Sequence, residues 1–378
     1  MEKILFINQW PSHLTKDIIN TFAEKFNDIG LIAGYISESG SPLNKKVKIC
    51  RIIKYNKSTV FSRVTTWILA TIQIIILVNI KFRKYHLFIT SNPPLSTFIP
   101  LFCRNHYSIQ ILDIYPDALV AGGFISQKSW INKMWRRQNK KYFAGAENVF
   151  TITSGMAKTL SPYCNSDKIK VIAQWPPTDG NGRIERSQNI FIQTHSLKNN
   201  FVVMYSGNIG LGHHVDTIVE TARILKDFKN IMFVIIGEGW NKPMIERLIK
   251  EYGLKNCLLL PFQPSSMFKH SSQAADIGVV SVSKELAMLS VPIKTYNLIS
   301  KEIPLLCVTE GQSELAALVS KYEIGKCFTP HQVNEISDFI ISLKTNNEII
   351  TSYKKNLKNC AQNFTSRNAL LYVNNFNV

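Results

Sequence analysis

What this chain lacks narrows it first. It has seven cysteines, none of them in a C-x-x-C pair, so neither a disulfide framework nor a zinc site is suggested. That usage reads as a reducing cytoplasm. Acidic residues are scarce, 26 Asp and Glu against 44 Lys and Arg, which leaves a formal net charge of +18. Such a balance favours acidic partners: nucleic acid, phosphorylated substrates or an anionic membrane face. Nucleic acid is set aside, because no recognised module and no aromatic and basic interleaving on a sheet accompanies the charge. The opening residues MEKILFINQW carry no long apolar run and no small-residue cleavage site, and read as a first β-strand rather than a secretory signal. No convincing Asp/His cluster suggests a metal, and no cofactor is expected.

One strongly apolar stretch is free of charge. Val64 to Ile80 (VTTWILATIQIIILVNI) is bracketed by Arg63 and by Lys81, Arg83 and Lys84, and is interrupted by Gln73 and Asn79. Its length is at the lower edge of a membrane span. Three readings stay open: a buried α/β helix, a monotopic helix with its flanking cations on anionic headgroups, and a span.

What is present describes a folded α/β chain. At 378 residues and 45% hydrophobic content it is too long for one ordinary core, and two domains are expected. In the first half, strands at Lys3 to Asn8, Gly30 to Ile36, Leu87 to Thr90, Ser108 to Leu112, Val149 to Thr153 and Lys170 to Ala173 alternate with helical periodicity. The stretch around Lys45 to Lys57 is basic and irregular. Asp113-Ile114-Tyr115-Pro116-Asp117 follows a strand directly, at the carboxyl end where open α/β sheets keep their ligands. A carboxylate there can orient or deprotonate a sugar hydroxyl. Alternatively Asp113 ends a strand and Asp117 caps the next helix. The basic helical run around MWRRQNKKY reads as a solvated face. From Asp179 to Asn200 the chain is polar and aperiodic. This places domains at 1–180 and 200–350, a linker at 181–199, and a helical tail at 351–378 that packs back toward the first domain.

The second half restarts with the apolar strand Phe201 to Tyr205 and the turn Ser206-Gly207-Asn208-Ile209-Gly210-Leu211-Gly212-His213-His214. Glycines there let backbone N–H groups approach a phosphate. The third glycine of the dinucleotide fingerprint is absent, and the next strand runs into Gly237-Glu238-Gly239 rather than an acidic residue, which disfavours a nicotinamide cofactor. Strands at Phe233 to Ile236, Cys257 to Leu260, Ile277 to Val282 and Leu305 to Val308 then alternate with helices, as parallel sheets require.

The chain converges on Ala275 to Pro304, ADIGVVSVSKELAMLSVPIKTYNLISKEIP. A strand and loop lead to Pro292, expected at the first helical position. The helix N-terminus is a natural seat for phosphate, and Lys294 at the third position adds a full charge.

The order YSGN-I-G, GEG after a strand, PF after a strand, and ADIGVVSV with VPIKTYN resembles the donor half of retaining glycosyltransferases of the GT-B class, family four. Among these it is similar to bacterial enzymes of O-antigen and capsule assembly, of the fucosamine-transferase type. Pro93-Pro94 and Asp113 to Asp117 match the turn and the D-hydrophobe-aromatic-P-D segment of their first halves. The resemblance implies two Rossmann-like α/β domains facing a cleft. It implies a UDP-sugar held by the second domain, with Gly207, Asn208, Gly210, His213, Pro292 and Lys294 on the diphosphate and Asn297 on the ribose. Leu260 and Phe262 would border the base. It further implies front-side transfer with retention to a polyprenyl-diphosphate-linked saccharide held by the first domain, Asp113 and then Asp117 orienting the acceptor hydroxyl. No metal is needed in that class. The protein would then sit peripherally on the inner face of the cytoplasmic membrane.

The sequence departs from the broader family at four places. Asn208 and His213 stand where an Arg and a Lys grip the diphosphate, and Leu289 and Asn297 where two glutamates stand. In the O-antigen subgroup the P-x-K element replaces the missing cation, which singles out Lys294. A UDP-sugar 2-epimerase of the same architecture and a non-catalytic scaffold with a decayed donor site are the rival readings.

Overall fold

The computed structural model describes residues 2–177, 184–210 and 212–376. The chain divides into two compact units: Met1–Asp179 with Ser366–Val378, and Gly180–Thr365.

In the N-terminal unit the strands are β1 Lys3–Ile7, β2 Asp28–Ala33, β3 Lys48–Arg51, β4 His86–Thr90, β5 Tyr107–Ile111, β6 Val149–Thr151 and β7 Ile169–Val171. They form one sheet in the order β3-β2-β1-β4-β5-β6-β7, and every paired neighbour is parallel. The order reverses between β1 and β4, the place where doubly wound sheets open a crevice beyond their carboxyl ends. The central strands β1, β4 and β5 are short and almost wholly buried, as expected when helices cover both faces. Strand β3 is the exception. KICR is charged and largely exposed, so it carries no apolar run, and an edge position suits such a strand.

The core on one face of this sheet is aromatic. Phe22 meets Phe6 edge-on at 5.2 Å and Phe376 edge-on at 5.0 Å, and Phe150 lies 4.9 Å from Tyr372. Phe376 and Tyr372 come from the last stretch of the chain, where Ala369, Tyr372, Val373 and Phe376 are buried with β1 and the His13–Lys25 helix. Gln110 donates to the Tyr372 hydroxyl at 2.9 Å, fixing that segment to β5.

The uncharged stretch forms the helix Val60–Lys81. Its buried residues Thr66, Ala70, Thr71, Ile74 and Val78 recur at roughly every fourth position, one stripe of a helix. The opposite stripe is also apolar and lies open: Phe61, Val64, Ile68, Ile72, Ile76 and Ile80 are all exposed. Only 22% of its most apolar window is buried, so this is not the enclosed core helix that an α/β crossover ordinarily supplies.

The C-terminal unit holds β8 Phe201–Ser206, β9 Ile231–Ile236, β10 Cys257–Leu260, β11 Ile277–Val282, β12 Leu305–Thr309 and β13 Gly325–Phe328. Their order is β10-β9-β8-β11-β12-β13, again parallel throughout, with the reversal between β8 and β11. Strand β13, GKCF, has too little apolar sequence to be read as a strand and is placed by its pairing with β12.

The polar stretch expected as a linker at 181–199 is, from residue 184 onward, part of this unit. Arg186 donates to both carboxylate oxygens of Asp276 at 3.1 Å, and Phe191, Ile192 and Leu197 are buried in the core beside β8 and β9. Those three apolar residues are enough to anchor a segment that lacks a steady period. Residues 181–183 lie outside the described residues. The expected tail at 351–378 is divided: the helix Asn347–Ala361 belongs to this unit, and only the chain from Ser366 joins the other.

Candidate active site

The site is built where two turns at the carboxyl ends of β8 and β9 are tied together. Gly207 N–H donates to the Ile236 carbonyl at 2.9 Å, and Ile209 N–H to the Glu238 carbonyl at 2.8 Å. The contact is closer than any side chain permits. A Cβ on Gly237 would lie 2.0 Å from the Gly207 carbonyl oxygen, and one on Gly239, whose φ is +155°, 2.3 Å from that of Ile209. Glycines at 237 and 239 therefore set the shape of the turn after β8. Two of that turn's N–H groups are spent on this joint, so the backbone cradle expected from its glycines is smaller than the sequence suggests.

Against the turn lies the helix Ile293–Ser300. Pro292 is its N-cap, with φ −57° and ψ 138°, one position earlier than expected, which makes Lys294 the second helical residue. No side chain caps this end; Thr295 N–H donates to the Pro292 carbonyl at 2.9 Å, which leaves the N–H groups of Ile293 and Lys294 and the positive end of the dipole for the space beyond β11.

Lys294 is half-buried, with its ammonium 3.9 Å from the centre of the Tyr205 ring. A cation on a ring face is a favourable contact. Gly207 makes room for it: a Cβ there would come within 3.3 Å of Nζ. The Tyr205 hydroxyl donates to the Asn208 carbonyl at 2.6 Å, holding ring and turn together. Desolvation lowers the Lys294 pKa to about 7, the direction in which burial moves any ammonium. The group is thus poised to gain its proton when an anion arrives.

A cavity of about 380 Å³ opens here, bordered by Gly207, Asn208, His213, Phe262, Pro292 and Lys294. Of the nine residues expected around the donor, these six line one space. The other three do not. Gly210 stands behind it, where a Cβ would lie 2.7 Å from the Asn208 amide nitrogen and 3.2 Å from His213 Nδ1, so it makes room for those side chains. The Leu260 carbonyl is taken by Gly237 N–H at 2.9 Å, and its side chain packs into the core. Asn297 is half-buried further along the helix, its carbonyl accepting from the Ser300 hydroxyl at 2.9 Å.

Sequence reasoning passed over Ser206, Gln263, Phe268 and Ser281, which border the same cavity. Ser281 is the informative one. It is 2% exposed, and its hydroxyl has no hydrogen-bond partner among the described residues, an expensive state unless a ligand completes it. It sits inside the quoted strand ADIGVVSV, where a polar residue in an apolar run was the signal.

In the N-terminal unit, Asp113 follows β5, its backbone N–H donating to Ser91 Oγ at 3.3 Å. The side chain reaches solvent, yet the protein crowded around it displaces enough water to push its pKa up. Asp117 has a structural partner: it opens the short helix Asp117–Ala121 and is ion-paired with Arg136. Among the described residues no group of three or more His, Cys, Asp or Glu is arranged to hold a metal.

Residues 187–363 match the family model described as glycosyl transferases group 1. The C-terminal unit is a glycosyl transferases group 1 domain. Two curated relatives agree with this. The chain is 23% identical over 218 residues to the probable glycosyltransferase WbjE of Pseudomonas aeruginosa, covering 56% of this chain and 53% of WbjE. It is 26% identical over 200 residues to the putative colanic acid biosynthesis glycosyl transferase WcaI of Escherichia coli K12, covering 50% of this chain and 47% of WcaI. The chain thus spans about half the length of the curated relatives it matches. Anabaena HepE, solved with UDP and glucose, shares the fold with a TM-score of 0.70 at 12% identity, covering 99% of this chain and 98% of HepE. WaaG, a glycosyltransferase involved in lipopolysaccharide biosynthesis, does so with a TM-score of 0.66 at 13% identity and 95% coverage of both. The two parallel-sheet units are those of the GT-B fold, and the group 1 domain carries the cavity described above.

Proposed function

We propose that the chain is a retaining glycosyltransferase that moves a sugar from a UDP-sugar to a lipid-diphosphate-linked saccharide in O-antigen or capsule assembly. One observation carries this reading: Lys294, an uncapped helix N-terminus and the glycine turn after β8 border a single cavity. The nucleotide diphosphate lies there, with Lys294 and the first-turn N–H groups stabilising the charge that builds as the sugar departs. Asn208 and His213 complete the polar wall where the broader family uses fixed cations. Ser281 supplies a hydroxyl to the ligand, and Phe262 and Phe268 flank the base. The UDP seen in HepE supports the choice of nucleotide.

The acceptor is assigned to the N-terminal unit, with Asp113 orienting its hydroxyl. Its raised pKa suits a group that shares a proton with a sugar hydroxyl. The pairing of Asp117 with Arg136 gives that carboxylate a supporting role. The exposed apolar stripe of the Val60–Lys81 helix and the basic surface around it make the protein peripheral on an anionic membrane, where a lipid-linked acceptor is found.

The test is to incubate the protein with a panel of UDP-sugars and follow saturation transfer to the ligand by NMR. Binding of UDP and of one UDP-sugar above the rest is expected. Absence of transfer to any uridine proton would end the proposal, and epimerisation of a free UDP-sugar without acceptor would replace it with the epimerase reading.

A further inference from the structure

A second built site lies in the N-terminal unit, at the carboxyl ends of β1, β2 and β3. Trp10 follows β1 beside the reversal of strand order, and its ring packs 4.7 Å from Tyr35 and, edge-on, 6.3 Å from Tyr55. Tyr55 in turn stacks on Trp67 at 5.8 Å. The Lys57 ammonium stands 4.5 Å from the centre of the Trp10 ring and 5.7 Å from that of Tyr55. A cavity of about 460 Å³ is bordered by Trp10, Lys54, Tyr55, Lys57 and Thr66, among others.

This shelf is held rigidly, although its loop has no regular structure. Gln9 is fully buried and donates to the carbonyls of Ile53 and Thr66, both at 3.2 Å. The Ile53 N–H donates to Gln73 Oε1 at 2.8 Å, and Arg63 donates twice to the Lys57 carbonyl. Gly34 admits the loop, because a Cβ there would lie 2.4 Å from the Ile53 oxygen. So many bonds on a short basic loop fix ring faces and cations in place without filling the space between them. Fold stability alone does not require half-exposed aromatic faces with the Lys57 ammonium above them.

We propose that this shelf is the acceptor subsite: a pyranose ring of the acceptor lies on the Trp10 and Tyr55 faces, and its diphosphate pairs with Lys54 and Lys57. This rests on the glycosyltransferase reading and deepens it by naming where the acceptor sits. Aromatic faces offer a flat apolar surface to the C–H side of a sugar ring, and a few polar groups fix its orientation. The order of chemistry along the chain matches a lipid-linked sugar. The ring faces of Trp10 and Tyr55 and the cations Lys54 and Lys57 all come before the exposed apolar stripe that begins at Phe61, 78% exposed. Tyr115 stands within electrostatic reach of both Tyr55 and Asp113, which places the shelf near the carboxylate assigned to the acceptor hydroxyl.

The experiment uses the full chain and three probes in detergent micelles: N-acetylglucosamine, glucose and galactose, each linked to farnesyl diphosphate, with the free sugars and farnesyl diphosphate as separate arms. Saturation transfer from protein to pyranose protons is expected for at least one linked probe, and Trp10→Ala should weaken its affinity about tenfold or more, with Trp10→Phe restoring most of it. Lys57→Ala should weaken the linked probe and farnesyl diphosphate but not the free sugar. The idea is overturned if no probe shows transfer to its sugar protons, or if Trp10→Ala binds as wild type does. UDP titration of the same samples separates the two claims. Normal UDP binding with no saccharide transfer sinks the shelf alone, whereas saccharide transfer without UDP binding sinks the donor reading and leaves the shelf standing.

Discussion

The ammonium of Lys294 rests 3.9 Å from the centre of the Tyr205 ring, at the point where Gly207 leaves just enough space for it. Ring, glycine and cation come from β8, its turn and a helix nearly ninety residues later, yet they make one wall. Among the described residues bordering the cavity Lys294 is the one Lys or Arg, and burial lowers its pKa to about 7.

UDP binding should therefore take up a proton. In the free protein Lys294 loses its proton as pH rises through about 7, and a bound diphosphate raises that value again. Above pH 7 the complex holds more protons than the separated partners, so affinity should fall as pH rises from 7 to 9, by at most about tenfold per unit. Calorimetry in buffers of different ionisation enthalpy measures the uptake. A flat affinity over that range, with no proton taken up, would show that Lys294 is not at the diphosphate.

The same burial makes Lys294 a cost to the fold. Its folded pKa lies below the unfolded one, so between about 7 and 10.5 the unfolded chain binds more protons and stability rises with pH. The full penalty is felt below pH 7. Lys294→Met, which keeps the length of the side chain without the charge, should raise Tm at pH 6 more than at pH 9. Scanning calorimetry at the two values reads this, and an equal change at both would place the ammonium in water.

Gly237→Ala should destabilise the C-terminal unit, because the added methyl would lie 2.0 Å from the Gly207 oxygen. Either the two turns part or the strands shift, at a cost of about 1–3 kcal/mol by analogy with overpacked cores. Denaturant unfolding of the variant checks it, and UDP affinity should fall with it. Full stability would mean that the two turns separate freely.

How much of this was legible in the sequence differs between the two units. Strands β8 to β12 declared themselves, since each is an apolar run ended by a glycine, proline or polar turn. Strand β13 did not: GKCF holds only two apolar residues and is a strand through its pairing with β12. Strand β3 was hidden for the same reason. The turn after β8 and the P-x-K element, singled out because glycine and proline constrain the backbone locally, border one cavity. Ser281 was missed because one hydroxyl in an apolar run is a weak local signal; its enclosed, unpartnered state is what singles it out. The aromatic shelf was invisible, since Trp10, Tyr35, Tyr55 and Trp67 come from four separate stretches of the chain.

The exposed stripe of the Val60–Lys81 helix should bind vesicles. Ile68 and Ile72 are 44% and 48% exposed one turn apart, so replacing both by Glu removes apolar area and adds repulsion from anionic headgroups without disturbing the buried stripe. Flotation with vesicles of mixed zwitterionic and anionic lipid should recover the wild type and lose most of the Ile68→Glu/Ile72→Glu protein, while unfolding midpoints stay together. Equal flotation of both would assign the stripe to another partner.

The most direct test is a calorimetric titration of UDP into the wild type and Lys294→Met at pH 7. If the diphosphate sits against this helix N-terminus, the wild type binds and the variant loses about tenfold or more in affinity, the worth of one charge-assisted contact. Equal affinity in the two proteins would contradict the account.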